Sequence, residues 1–360
     1  MMKRLGDYIR PVDVRNRDLK VTRLMGINIE KRFMPSVANV VGTDLSNYKV
    51  VSKGQFACNL MHVGRDEKIP VALQKDDEPI IVSPAYVVFE VVDTDVLLTE
   101  YLMMWFSRSE FDRNAWFYTD GDVRGGMDRD ALFDMQIPVP AIEKQREIVA
   151  EYNTLATRIE TNKKLIATLE QTAQTLYRHT FVDNIDPNNL PQGWRMGTLG
   201  EIAEITSGKT CVDKKDVSEG NYKYPVAGAS GIIGYSNEFN QDERLMTTGR
   251  VGTLGIVNRY NERLYTADNV LVIKAKFYEY CYQILNRLDY AEITKGGVQS
   301  LITQTDLKNI SINIPTDTEL KQFEITNSKL FEHVKYKIDE NQTLTQMQTL
   351  LLSKMGNYNE

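Results

Sequence analysis

Residues 142–181 read IEKQREIVAEYNTLATRIETNKKLIATLEQTAQTLYRHTF, without Pro or Gly. Steps of four and three from Ile148 land on Tyr152, Leu155, Ile159, Asn162, Ile166, Leu169, Ala173 and Leu176. That is the heptad spacing of a helix that pairs along one seam, broken only by Asn162. At about 1.5 Å per residue the stretch makes a rod of roughly 60 Å, longer than a globular helix needs. Residues 318–355, TELKQFEITNSKLFEHVKYKIDENQTLTQMQTLLLSKM, supply a partner, with Val334, Ile338, Asn341, Leu344 and Leu351 as its seam. Ile159-Glu-Thr-Asn162 is echoed by Ile338-Asp-Glu-Asn341. Two seam asparagines fix a register if they face each other, or are tolerated polar residues if they do not.

The echo reaches upstream of the helices. Gly121, Leu132, Ile137 and Pro140 recur 175 residues later as Gly296, Leu307, Ile312 and Pro315, and Leu5-Gly6-Asp7 parallels Leu199-Gly200-Glu201. The chain therefore reads as module, rod, module, rod, with bounds expected at 1–140, 141–183, 184–315 and 316–360. VDNIDPNNLPQGW after Phe181 ends the first rod. Two like helices sharing a seam pair most simply about a two-fold axis, which makes them antiparallel and puts the modules at opposite ends.

Each module reads as α+β and β-rich. Tyr86–Val92 and Tyr48–Val51 are strand candidates, and Leu97–Trp116 has helical periodicity with a Met and aromatic stripe suited to a core. Module two is richer in Gly, with strands expected at Arg250–Val257 and Val270–Lys274.

No apolar run is long enough to span a membrane, and the N-terminus lacks a signal-peptide core, so a cytoplasmic protein is expected. Cys58, Cys211 and Cys281 are odd in number and widely spaced, which argues against disulfides and structural zinc. The net charge of −6 weighs against nucleic-acid binding by the chain as a whole, although residues 1–32 hold nine Lys or Arg against four Asp or Glu. A local basic face, or basic partners, would be required.

No catalytic constellation emerges. Ser207-Gly208-Lys209-Thr210 resembles the end of a phosphate-binding loop, but that motif needs Gly where the chain has Ala203, and the preceding GEIAEI looks helical or irregular rather than extended. Cys58 and His62 lack a third group. Asp213-Lys-Lys-Asp216 hints at scattered nuclease carboxylates but reads better as a charged loop. What remains is a binding device: two related heads on a ruler, suited to a bipartite target.

Five stretches carry a family resemblance: LGDYI from Leu5, YKVVSKGQFACNLMHVGRD from Tyr48, VSPAYVVFEV from Val82, DVRGGMDRDALFDMQIPVPAIEKQREIV from Asp122, and LGEIAEITSGKT from Leu199. With these the chain resembles the specificity subunits of type I restriction-modification systems. The resemblance implies two target-recognition domains, each reading half of an asymmetric split DNA site, separated by an antiparallel coiled coil. It implies no catalysis and no cofactor in this chain. S-adenosylmethionine, ATP and Mg would belong to partners: two adenine methyltransferase subunits and the restriction subunits. Such partners would share the phosphate contacts, which removes the charge objection. The expected DNA contacts are Arg10, Arg15, Arg17, Lys20, Arg65 and Arg124 in module one, and Lys209, Thr210, Lys214, Lys215, Lys223, Arg244 and Arg250 in module two. Module one lacks the Ser-Gly-Lys segment, so the halves should read different sequences. A protein-binding assembly scaffold, or the specificity subunit of a fused restriction-methylation enzyme, are the alternatives.

Overall fold

The computed structural model describes residues 2–37, 42–61, 63–119, 125–211, 213–251, 253–293 and 301–357. The chain forms two compact units, Met1–Asn162 with Asp339–Glu360, and Lys163–Ile338. The divisions fall inside the two long helices, Ile142–Phe181 and Asp317–Lys354, so each unit holds one module and a part of both helices. As expected from the sequence, the fold is α+β, with two β-rich modules each followed by a long helix.

In the first unit, Met2–Arg4 pairs antiparallel with Gln136–Pro138, tying the chain's start to the module's exit, and Leu5 N–H donates to the Met135 carbonyl at 2.8 Å. Ile9–Val12, Val87–Val91, Gln55–Cys58 and Val71–Leu73 follow in that order across an antiparallel sheet. These strands form where β-branched and aromatic residues alternate, and their inward side chains pack with the helix Thr99–Phe106. Phe56 stacks on Phe89 at 5.1 Å, and Phe106 meets both edge-on. The helical run expected over Leu97–Trp116 is two helices, Thr99–Phe106 and Ser109–Phe117. The break falls at Ser107-Arg108, where the buried Arg108 guanidinium lies 4.1 Å from the centre of the Trp105 ring.

The second unit repeats this plan. Arg195–Thr198 pairs with Ser311–Ile314, and Leu199 N–H donates to Ile310. The sheet order is Ala203–Ser207, Val270–Ala275, Leu245–Gly249, Val257–Tyr260, with the helix Tyr278–Leu285 following. The repeated Leu132 and Leu307, and Ile137 and Ile312, are all buried. The helices that carry the two leucines are capped by Asp128 and Thr303, which are likewise 175 residues apart. The strand expected at Arg250–Val257 is absent among the described residues of that stretch, which instead link Leu245–Gly249 to Val257–Tyr260. The chain must double back there: a Cβ at Gly249 would stand 1.8 Å from the Thr253 carbonyl oxygen, so the two ends of the turn lie in contact.

The long helices pair antiparallel within each unit. In the first, Asn162 Nδ2 donates to Asn341 Oδ1 at 3.0 Å, Arg158 pairs with Glu340 at 2.8 Å, and Ile148 and Tyr152 share a buried cluster with Leu351 and Met355. In the second, Ala173 packs with Phe331 and Val334, and Tyr177 and Phe181 pack with Phe323. Leu155, Ile159, Ile166, Leu169, Leu344 and Leu351 are half-buried along this seam. Leu176 is 37% exposed and Tyr177 is buried instead, because a 3.6-residue helix drifts from a strict 3.5 repeat and the inward position moves one residue on. Ile338 is also exposed, at 42%, with Lys337 half-buried beside it.

Long-helix side chains also hold the module helices. Gln145, fully buried, accepts from Leu98 N–H at the start of Thr99–Phe106 and donates to the Val96 and Pro140 carbonyls. Glu324 accepts from the backbone N–H groups of Glu279 and Tyr280 in the first turn of Tyr278–Leu285. Both satisfy amide groups that a helix start leaves without partners.

Candidate nucleic-acid interface

In the first unit the described candidate cations lie on the surface in local pairs. Arg10 reaches Glu90 across two strands at 2.6 Å, and Gln55 donates to the other oxygen of the same carboxylate at 2.9 Å. Arg15 pairs with Asp13 at 2.8 Å, holding that carboxyl below the usual range, and donates to the Asn47 carbonyl. Arg17 donates to the Asn47 side chain. Lys20 pairs with Asp18 at 2.9 Å and Arg65 with Asp66 at 2.7 Å. The turn carrying Arg15 and Arg17 is fixed by Asn16, whose buried side chain both donates to and accepts from the Val21 backbone. Arg124 lies outside the described residues, as does His62.

Gly64 and Gly125 join two of the stretches that carry the family resemblance. Gly64 N–H donates to the Gly125 carbonyl at 2.7 Å, and a Cβ on Gly64 would stand 2.7 Å from the Gly125 Cα. Only two glycines allow this approach, which seats the short helix Val63–Asp66, with Arg65, against the residues after position 124.

In the second unit the Ser-Gly-Lys segment leaves the strand Ala203–Ser207; GEIAEI is helical through Ile202, as read from the sequence, and extended from Ala203, which that reading missed. No helix follows among the described residues, so the phosphate-loop architecture is still missing. Gly208 is required by contact: a Cβ there would lie 1.9 Å from the Ala267 carbonyl oxygen. Gly208 N–H donates to Val270 and Lys209 N–H to Thr266, which points the chain outward with Lys209 and Thr210 exposed. Thr210 donates to Asp268 at 2.8 Å.

Lys214 and Lys215 border a hairpin made of Tyr224–Gly228 and Gly231–Ser236. Lys215 exchanges backbone hydrogen bonds with Tyr235, pairs with Glu219 at 2.5 Å and lies over Tyr222, while Lys214 Nζ donates to the Ile233 carbonyl. Lys223 is exposed over Tyr224. Arg250 is half-buried and pinned through its backbone to Asn269 and Ile302.

Arg244 belongs to a different kind of site. It shares one oxygen of the fully buried Glu279 with Arg259, at 2.5 and 2.7 Å, and stacks on Tyr278. Arg259 lies on Phe331 at 3.7 Å from the ring centre. The contrast decides which cations are able to meet phosphate. Exposed pairs are each worth about 0–1 kcal/mol, so exchanging a carboxylate for a phosphate costs little. Removing an arginine from a buried carboxylate costs several kcal/mol, so Arg244 and Arg259 hold the module together. The sequence did not single out Glu279, because its two arginines lie 35 and 20 residues away.

Nothing among the described residues groups His, Cys, Asp or Glu in a metal-binding cluster. Burial pushes the Cys58 and Cys281 thiols far up, so both are inert core groups. No helix of the described residues is long and apolar enough to cross a membrane.

Residues 191–346 match the family model described as Type I restriction modification DNA specificity domain. The matched segment takes in most of the second module and much of the helix that follows it. The likeness extends beyond the matched segment. The type I restriction enzyme MjaIX specificity subunit of Methanocaldococcus jannaschii is 20% identical over 309 residues, covering 74% of this chain and 70% of that protein. The crystal structure of the type I restriction-modification system S subunit from M. genitalium shares the fold, with a TM-score of 0.62 and 16% identity over 99% of this chain and 95% of that one. The resemblance to type I specificity subunits read from the sequence is the one these comparisons return.

Proposed function

We propose that this chain is the DNA-reading, non-catalytic subunit of a type I restriction-modification complex, that each module reads one half of a split asymmetric site, and that the long helices dock two adenine methyltransferase subunits and, through them, restriction subunits. The observation that carries the reading is the recurrence of one frame with unlike loops. Leu5 and Leu199, Leu132 and Leu307, and Ile137 and Ile312 repeat the scaffold, whereas Asp13-Val14-Arg15-Asn16 occupies the place of Ser207-Gly208-Lys209-Thr210. A repeated scaffold with different exposed cations and hydroxyls is what two different half-sites require, since phosphate contacts position and polar loop groups discriminate.

The cofactors of the reaction, S-adenosylmethionine, ATP and Mg, belong in this reading to the partner subunits. The test is to co-express the chain with its neighbouring methyltransferase gene and map methylated adenines across the host DNA. A split motif with two unlike halves and a fixed gap is expected. A stable complex that leaves no motif, and no footprint on DNA, would replace this reading with that of an assembly scaffold.

A further inference from the structure

The hairpin Tyr224–Gly228/Gly231–Ser236 ends in a turn followed by two adjacent isoleucines, Ile232 and Ile233, which are 45% and 39% exposed. Two β-branched side chains at a hairpin tip leave apolar surface in water with nothing to gain from it in the free protein. Their positions are nevertheless fixed. Ile233 lies across the strand on Gly228, where a Cβ would stand 2.6 Å from Ile233 Cγ2, and its carbonyl takes the Lys214 ammonium. Ile232 pairs in register with Ala227, next to Gly231, whose φ of 131° suits glycine.

The surroundings select the occupant. From Gly220 to Asn237 the chain has no Asp or Glu, in a protein with 49 of them in 360 residues, and Lys223 is exposed within that run. Lys214 and Lys215 lie along the outer strand. Of these, Lys215 is held in an exposed pair with Glu219, beside Asp213 on Tyr222, and exchanging such a pair for a phosphate costs little. A narrow ribbon, apolar at its tip, without carboxylates in its own strands and flanked by lysines, fits the major groove of duplex DNA, which admits a two-stranded ribbon. There the apolar feature of a base edge is the thymine C5-methyl group.

We infer that Ile232 and Ile233 are specificity-determining residues of the second module, reading a thymine methyl in the major groove while Lys214, Lys215 and Lys223 meet the flanking phosphates. The inference rests on the DNA-reading function proposed above and names the chemistry that one half-site must offer.

The test uses the full chain with its methyltransferase partner and a duplex carrying the mapped motif, with each thymine replaced in turn by deoxyuridine, which deletes only the methyl. One replacement in one half-site is expected to weaken binding about fourfold, the worth of burying one methyl-sized group. The Ile232→Ala/Ile233→Ala double variant should bind methyl and demethyl duplexes alike while remaining folded at the assay temperature, as a thermal melt checks. Failure of the double variant to fold leaves the wild-type comparison decisive. Equal binding of wild type to every uracil duplex overturns the inference while the split motif still supports the function. An absence of any motif overturns the function and the inference with it.

Discussion

At the strand exit of the first module stands Arg15, and 194 residues later the same exit of the second module presents Lys209. Arg15 is held by Asp13 and the Asn47 carbonyl, above a turn closed by the buried Asn16 side chain. Among the described residues Lys209 is held through its backbone, by a turn that a Cβ at Gly208 would obstruct. One frame thus delivers a cation to the same place by a side-chain network in one module and by backbone contact in the other. The candidate cations differ as well. The first module's candidate arginines sit in exposed pairs such as Arg10–Glu90, whereas the second sets Arg244 and Arg259 on one buried carboxylate.

The sharpest way to break this contrast is to remove the two carboxylates. Glu279→Ala should cost about 3 kcal/mol, the lower end for a broken buried pair because Arg244 remains partly solvated, while Glu90→Ala should cost under about 1 kcal/mol. Denaturant unfolding of both variants checks it; equal losses would mean that burial does not separate the two sites. Next in size is Gly208→Ala, where the backbone of Ala267 must move, at about 2 kcal/mol, and with it the placement of Lys209. Val14→Ala, at the corresponding exposed position of module one, should cost no more than about 0.5 kcal/mol.

A smaller effect sharpens the comparison of the two clamps on the module helices. Gln145 is neutral, whereas burial raises the Glu324 carboxyl above its ordinary value. A carboxyl with a raised folded pKa favours the fold most when protonated, below its unfolded value near 4.5, and loses that advantage as pH rises through the folded value. Glu324→Gln keeps one of the two acceptor oxygens and removes the buried charge, so relative to wild type it should fare better at pH 7 than near pH 4. Thermal melts at the two pH values decide it; a variant less stable at pH 7 than at pH 4, relative to wild type, contradicts the assignment.

The frame was legible because its residues are apolar and fixed in spacing: Leu132 and Ile137 recur at one offset as Leu307 and Ile312, and all four are buried. Asn162 was legible for a related reason, as a polar residue in an apolar seam has few ways to be satisfied, and here Asn341 satisfies it. The helix split at Ser107-Arg108 and the turn after Gly249 were not legible, because a buried arginine over Trp105 and a close backbone approach depend on partners distant in sequence. Among the site residues, the sequence singled out cations in loops but not which of them are committed: Lys214 and Arg244 look alike in a string, and only burial of Glu279 separates them.

The central claim is that each module reads its own half-site. The most direct measurement is a methylated-adenine map for the full chain with its methyltransferase partner, comparing wild type with Lys214→Ala/Lys215→Ala/Lys223→Ala and with Arg15→Ala/Arg17→Ala. If those cations only meet phosphates, both variants should lower occupancy of an unchanged split motif, with a salt slope reduced by about one for each phosphate no longer neutralised. Gly208→Ala in the same assay should relax one half of the motif and leave the other intact. Simultaneous loss of both halves, in a variant that folds and binds its partner, would contradict the claim.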